Sequence, residues 1–316
     1  MHRASAAPLA LMLAASANAA DSGTAQASLM VRFGGARVDD VLTGGEVRGV
    51  TNFTVPADHV IHDGLFPSEG IGWESDRVAY RLYLDERNAV DIFGKRLPAP
   101  IMQTAGIGPH SYHDMADWGM DIFHVGPSLG LGSIGVLRDG KAQQIGKSTI
   151  TVNIAEAGPR RAAFTVTSAG FGADSATLTT RYTIAAGTSV ARVHARVDGK
   201  SPEMVTGLIK NPDTEVFRAA ANPKARWGYI ATWGKQSLAR DLLGLAVFYR
   251  LDAVRMADGD DGFSHFVVFK DAQAIDYAFA ARWQQEANGN GAITTRAAFA
   301  AWLETQRRML EADEAH

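Results

Sequence analysis

The chain has 316 residues, a formal net charge of −3 and no cysteine, so its fold must rest on a hydrophobic core, which a chain of this length can build without disulfides. A mildly acidic chain with no basic tract has nothing to track phosphates. Nucleic acid is therefore not an expected partner, and neutral or polar small ligands are.

The chain opens MHRASAAPLALMLAASANAA, with a positive start at Arg3 and then an Ala/Leu/Met run. Ala17-Asn18-Ala19 has the small-x-small form of a signal-peptidase site. Residues 1–19 are expected to be a secretory leader and residues 20–316 a single domain that is periplasmic or secreted. An uncleaved tether is the alternative. The run is too short to span a bilayer, and no later stretch has eighteen uncharged apolar residues in a row, so stable membrane insertion is not expected.

Period two then dominates. Val78, Tyr80, Leu82 and Leu84 alternate with Ala79, Arg81, Tyr83 and Asp85, which reads as a strand with one apolar face. Asp85-Glu86-Arg87-Asn88 turns it into a second run at Val90–Phe93. Four successive strands, Thr149–Ile154, Ala162–Ser168, Ala176–Ile184 and Ser189–Val197, are predicted to form a meander. Leu245–Leu251, Ser264–Lys270 and Asp276–Trp283 continue the pattern, the last with Tyr277, Phe279 and Trp283 on one side. The segment TTRAAFAAWLETQRRML (294–310) is helical, with Phe299, Trp302, Leu303 and Leu310 on one face. Many strands without alternating helices predict a mostly β fold, a large antiparallel β-sandwich with a C-terminal helix.

Three motif matches are discounted. Gly126–Gly130 fits G-x-S-x-G and Gly130–Gly135 fits G-x-G-x-x-G. Both motifs need a helix to follow, and a strand followed by a tight turn is predicted instead. Asp258–Gly262 (DGDDG) has calcium-loop composition without the spacing or the closing Glu, so a hairpin turn is expected.

Chemistry concentrates in two stretches. In His110-Ser111-Tyr112-His113-Asp114-Met115-Ala116-Asp117-Trp118, a helical turn would put His110, His113, Asp114 and Asp117 on one face, where a divalent metal could bind. No Glu lies between the histidines to act as base, so metal-free acid–base work by imidazole and phenol is the leading reading. A polar loop is the structural alternative. The second stretch, Gly72-Trp73-Glu74-Ser75-Asp76-Arg77, runs into Tyr80 and Arg81. Trp73 could stack on a sugar, Glu74 and Asp76 could contact hydroxyls, and Arg77 or Arg81 could mask a uronate carboxylate. His62-Asp63, Lys210, His265 and Arg282-Trp283 are further candidates, with His265 also readable as a core-edge histidine.

With these residues in view, EGIGWESDRVAYRLYLDERNAVDIFGK (69–95) and YHDMADWGMDIFHVGPSLGLGSIGV (112–136) resemble the two central blocks of domain-of-unknown-function family 4861. That resemblance spans most of the mature chain. It implies an exported bacterial protein, of a kind often encoded beside polysaccharide lyases and glycoside hydrolases, with lyase or dehydratase activity on acidic oligosaccharides. The matched polar positions are Glu74, Asp76, Arg77, Tyr80, His113, Asp117 and Asp121. The meander at 177–199 is similar to hairpins of galactose-mutarotase-like supersandwiches, which implies that kind of sandwich.

The expected function is elimination from a uronate-containing oligosaccharide. His113, with His110 second, would be the base, and Tyr112 or Tyr80 the proton donor, with Asp117 in the same catalytic group. Arg77 and Arg81 would clamp the carboxylate. Trp73 and Trp118 would be stacking platforms, and Glu74, Asp76, Lys210 and His265 further substrate contacts. No cofactor is expected, a divalent metal at His110 and His113 being the exception held open. Hydrolysis by paired carboxylates (Glu74 with Asp76 or Asp117), sugar binding without catalysis, and mutarotation or epimerisation are the alternatives.

Overall fold

The computed structural model describes residues 23–172, 175–289 and 291–314, and the expected leader at 1–19 lies outside them. Alternate side chains of a strand point to opposite faces, and the period-two pattern becomes antiparallel sheet. The meander forms as its sequence suggests: Thr149–Glu156, Arg161–Phe171, Ala176–Ala185 and Val190–Asp198 pair in succession. Ile275–Trp283 joins Val190–Asp198, followed outward by Leu243–Arg250, Trp227–Gly234 and Thr214–Arg218. Asn52–Thr54 adds to the other edge, for nine strands.

The opposing layer begins as a six-stranded sheet in the order Glu46–Val50, Gln26–Phe33, Gly70–Glu74, Val78–Tyr83, Val90–Lys95 and Gly119–Asp121. A five-stranded sheet, in the order Lys141–Gln144, Leu131–Arg138, Met204–Ile209, Ser264–Phe269 and Val254–Asp260, touches it through a parallel bridge between Val90 and Gly130. Gly130 has φ +56°, and a Cβ there would lie 2.3 Å from the Val90 carbonyl oxygen, so glycine is required by both conformation and space. The glycines of GLGSIG thus serve sheet geometry, and no helix follows them. The DGDDG stretch only partly makes the hairpin turn expected: Asp258, Gly259 and Asp260 end a strand, and the turn follows at 261–263, with Asp261 accepting from the Phe263 and Ser264 amides.

The two layers meet over aromatic side chains. Trp73 and Tyr80 of the six-stranded sheet pack on Phe164, Tyr182 and Phe279 of the nine-stranded sheet, with ring centroids 5.1–6.2 Å apart. Trp73 is 0% exposed. Burying an indole removes roughly 150–250 Å² from water. At about 25 cal/mol per Å² that contributes on the order of 4–6 kcal/mol before entropic costs.

The α-helix Arg296–Asp313 covers the outer face of the nine-stranded sheet. Thr295 caps it by accepting from the Ala298 amide. Phe299, Leu303 and Leu310 are buried among Phe217, Tyr229, Trp233 and Phe248, as the predicted apolar face requires. The same parity sends Tyr277, Phe279 and Trp283 into the sandwich and Ala278 and Ala280 toward the helix. No helix among the described residues is long and apolar enough to cross a membrane.

Candidate functional site

Within Val78–Tyr83, Val78, Tyr80 and Leu82 enter the main core, so Ala79, Arg81 and Tyr83 share the other face. Arg81 lies directly across from Asp91 in the ladder with Val90–Lys95. Asp121, on the next strand, completes the group. The Arg81 Nη2 donates to Asp91, to Asp121 Oδ2 at 3.0 Å and to the Tyr83 hydroxyl at 2.8 Å. Tyr83 in turn donates to Asp91 Oδ2 at 2.6 Å. Arg81, Asp91 and Asp121 are each at most 1% exposed.

The segment between Lys95 and Gly119 folds over this face. Glu74 anchors its start by accepting from the Ile101 and Met102 amides and from Lys95 Nζ. Its end is anchored by the Asp121 amide donating to Tyr112 O at 2.8 Å and the Arg96 amide donating to Trp118 O at 2.7 Å. Phe93 carries the cover: Tyr112 lies 5.5 Å from it and Trp118 stacks at 6.3 Å. The segment runs as turns rather than helix. The one-faced grouping of His110, His113, Asp114 and Asp117 therefore does not arise. Among the described residues no group of three or more His, Cys, Asp or Glu side chains is placed to hold a metal.

Glu69 joins the cover to the buried group. Its Oε1 accepts from the Tyr112 hydroxyl at 3.0 Å, and its Oε2 accepts from Arg87 Nη2 at 2.7 Å and lies 3.1 Å from His62 Nε2. Glu69 and His62 both hold positive φ, 61° and 64°, where a side chain other than glycine is strained. His113 sits at the mouth, its side chain 56% exposed, its ring 4.4 Å from Tyr112 and its Nδ1 3.5 Å from Asp121 Oδ2.

The electrostatics separate these groups. Burial and the neighbouring Asp91 push the Asp121 carboxyl well above the usual carboxylate range, against the pull of Arg81. Glu69 goes the other way: burial opposes its charge, but Arg81, Arg87 and His62 outweigh it and hold it below the usual range. Burial pushes the Tyr112 phenol up to about 12. His113 is lowered by burial first and by Arg81 second, so its imidazole is neutral at neutral pH and free to accept a proton.

Several sequence expectations change here. Trp73 is sealed in the sandwich core and cannot be a stacking platform. Tyr80 is equally buried, donating to Ser189 O at 2.6 Å and accepting from the Ala281 amide, so it is not an accessible proton donor. Glu74 is an internal anchor for Lys95 and the cover, not a sugar contact. Arg81 is 1% exposed and already paired with two aspartates, so it is closed to a substrate carboxylate. Asp76 accepts from the Gly187 amide at 2.6 Å and pairs with Arg77, which reaches toward buried Glu286, so both serve the sandwich edge. Lys210 and His265 come together around Asp260, at 2.7 and 3.4 Å, on the five-stranded sheet and not beside Arg81. His110 and Asp117 are exposed on the cover, and Trp118 is half-buried against Phe93. Of the expected site residues, the structure groups Tyr112, His113 and Arg81.

Sequence reasoning missed Glu69, Tyr83, Arg87, Asp91 and the part played by Asp121. A signal existed for two of them. Val90-Asp91-Ile92-Phe93 and Met120-Asp121-Ile122-Phe123 each set one aspartate inside an apolar run, as expected of a carboxylate that must be paired once buried. The two runs are neighbours, with Phe93 opposite Asp121.

A family model described as Domain of unknown function (DUF4861) matches residues 5–313, and the chain belongs to that family. No curated protein matches it significantly.

Proposed function

We propose that this member of the DUF4861 family is an exported enzyme that eliminates across a uronate-containing oligosaccharide by metal-free acid–base chemistry. The observation that carries this reading is the grouping at Glu69. One carboxylate holds the Tyr112 hydroxyl and Arg87 on its two oxygens, while His113 packs against the Tyr112 ring at the surface.

In this reading neutral His113 removes the proton beside the uronate carboxylate, and the ionised Glu69 favours the imidazolium that forms. Tyr112, kept protonated by its raised pKa, donates to the departing oxygen, so a carbon–carbon double bond forms as the carbon–oxygen bond breaks. The carboxylate clamp passes from Arg81 to Arg87, the more exposed cation of the group at 18%, which exchanges part of its pairing with Asp85 and Glu69 for the substrate carboxylate. Masking the substrate carboxylate stabilises the enediolate that develops. Trp118 offers a partly exposed ring beside it. The paired-carboxylate route to hydrolysis is less well supported, because Glu74 is locked onto Lys95 and two backbone amides.

The test is incubation with saturated and unsaturated uronate oligosaccharides, read by mass spectrometry and ultraviolet absorbance. A new absorbing double bond or loss of water is expected, unchanged by chelator, and no product across the panel would sink the reading. His113→Ala should lower kcat about 10²–10⁴-fold, with unfolding free energy changed by no more than about 0.5 kcal/mol, since the side chain is half-exposed. Export is tested by N-terminal sequencing of the periplasmic protein, with a start just after Ala19 expected.

A further inference from the structure

A cavity of about 580 Å³ opens between the loop Val55–Ile61 and the edge formed by Lys147–Ile150, with Leu84, Asp85 and Ala169 completing its wall. That volume lies in the range of small-molecule sites. Two of its lining side chains hold buried polar atoms with no hydrogen-bond partner among the described residues: the Nε2 of His59 and the Ser148 hydroxyl. Such groups are rare in folded proteins and mark places where a ligand or water completes the bonding. The His59 side chain is only 6% exposed.

His59 is held in place. Its Nδ1 faces Asp63 Oδ1 at 2.9 Å, and its ring meets Phe66 edge-on at 5.2 Å. Asp63 is itself fixed: burial opposes its charge, but the Leu65 amide and His59 outweigh it and hold the carboxyl below its usual range. The remaining wall is apolar, from Val55, Ile61, Leu84 and Ile150. Charge at the rim does not favour an anion. Asp85, Glu86 and Lys147 all line the cavity, and Asp85 already binds Arg87 at 2.9 Å.

We infer that this cavity binds a neutral sugar ring, its apolar face on the aliphatic wall and its hydroxyls on His59 and Ser148. A hydroxyl can both donate to and accept from an imidazole, and a pyranose presents one apolar face and a rim of hydroxyls, which matches this lining. A small crevice of about 10 Å³ shares His59 and Asp85 with the cavity and is also lined by Glu69, the residue that holds Tyr112 and Arg87. The cavity is thus the subsite for a neutral sugar next to the uronate, an assignment that rests on the acidic-oligosaccharide reading for its neighbour but not for its own ligand.

Calorimetry with neutral mono- and disaccharides, and with uronates of the same size, tests it on the full chain. Neutral sugars should bind, with affinity reduced at least tenfold by Ser148→Ala and abolished by Ala169→Phe, which fills the cavity from a half-buried position. Binding should persist in His113→Ala, so loss of elimination and loss of this subsite are separable outcomes. His59→Phe should behave as Ser148→Ala if it folds, and near-ultraviolet circular dichroism reports whether it does. Absence of neutral-sugar binding at millimolar concentration overturns the inference, as do binding of uronates alone and binding indifferent to Ser148→Ala and Ala169→Phe.

Discussion

Arg81 and Lys210 are both cations paired with aspartate, yet their surroundings differ in kind. Arg81 is 1% exposed and shared by Asp91 and Asp121, whereas Lys210 is 38% exposed and meets Asp260, itself 37% exposed. The Lys210 pair is solvated, so side-chain entropy and screening consume most of its attraction. The Arg81 group gave up its water. It persists because every charge is bonded within it, and removing one member leaves the others stranded. The same contrast separates the histidines beside them. His113, next to the buried group, and His265, next to the exposed pair, are both lowered chiefly by burial, but only His113 reaches solvent, with His265 6% exposed.

The sharpest way to break this comparison is Arg81→Ala. It should cost about 3–5 kcal/mol, because two aspartates would remain buried without their cation, measured as the shift in urea unfolding. A loss below 1 kcal/mol would place the two regions in the same class. Next comes pH. A carboxyl whose folded pKa is raised, as for Asp121, contributes stability that is present below the ordinary carboxylate pKa and lost as pH rises through the raised value. Glu69 and Asp260, both lowered, contribute in the opposite sense, present above the ordinary value and lost as pH falls through the lowered one. Asp121→Asn should therefore flatten the loss of unfolding free energy with rising pH and leave the acid limb intact, read from urea midpoints across pH. The smallest effect is expected from Lys210→Ala, about 0–1 kcal/mol and reduced further by salt; a larger value would show that the Asp260 pair is not solvated as its exposure implies.

Much of the architecture was legible from the chain. The meander from Thr149 to Asp198 and the helix Arg296–Asp313 follow from alternation and from the Phe299, Leu303 and Leu310 spacing, since each face must be buried against something. The site was only half legible. Tyr112 and His113 stood out because imidazole and phenol are rare together in a polar turn. Glu69 and Arg87 did not, since nothing in EGIGW or DERN marks residues that meet across eighteen positions through the hairpin.

Local sequence thus determined which side chains share a face, because strand and helix periods are properties of the backbone. It did not determine which face would be covered. Trp73 and Trp118 illustrate the point: both read as stacking platforms, but sheet packing seals Trp73 at 0% exposure while the turn-rich cover leaves Trp118 half-open against Phe93. Whether Arg81 becomes a clamp or a buried hub was likewise decided by the cover between Lys95 and Gly119. Removal from water changes a charged group's partners and its free energy, and removal from water is a property of the assembled layers.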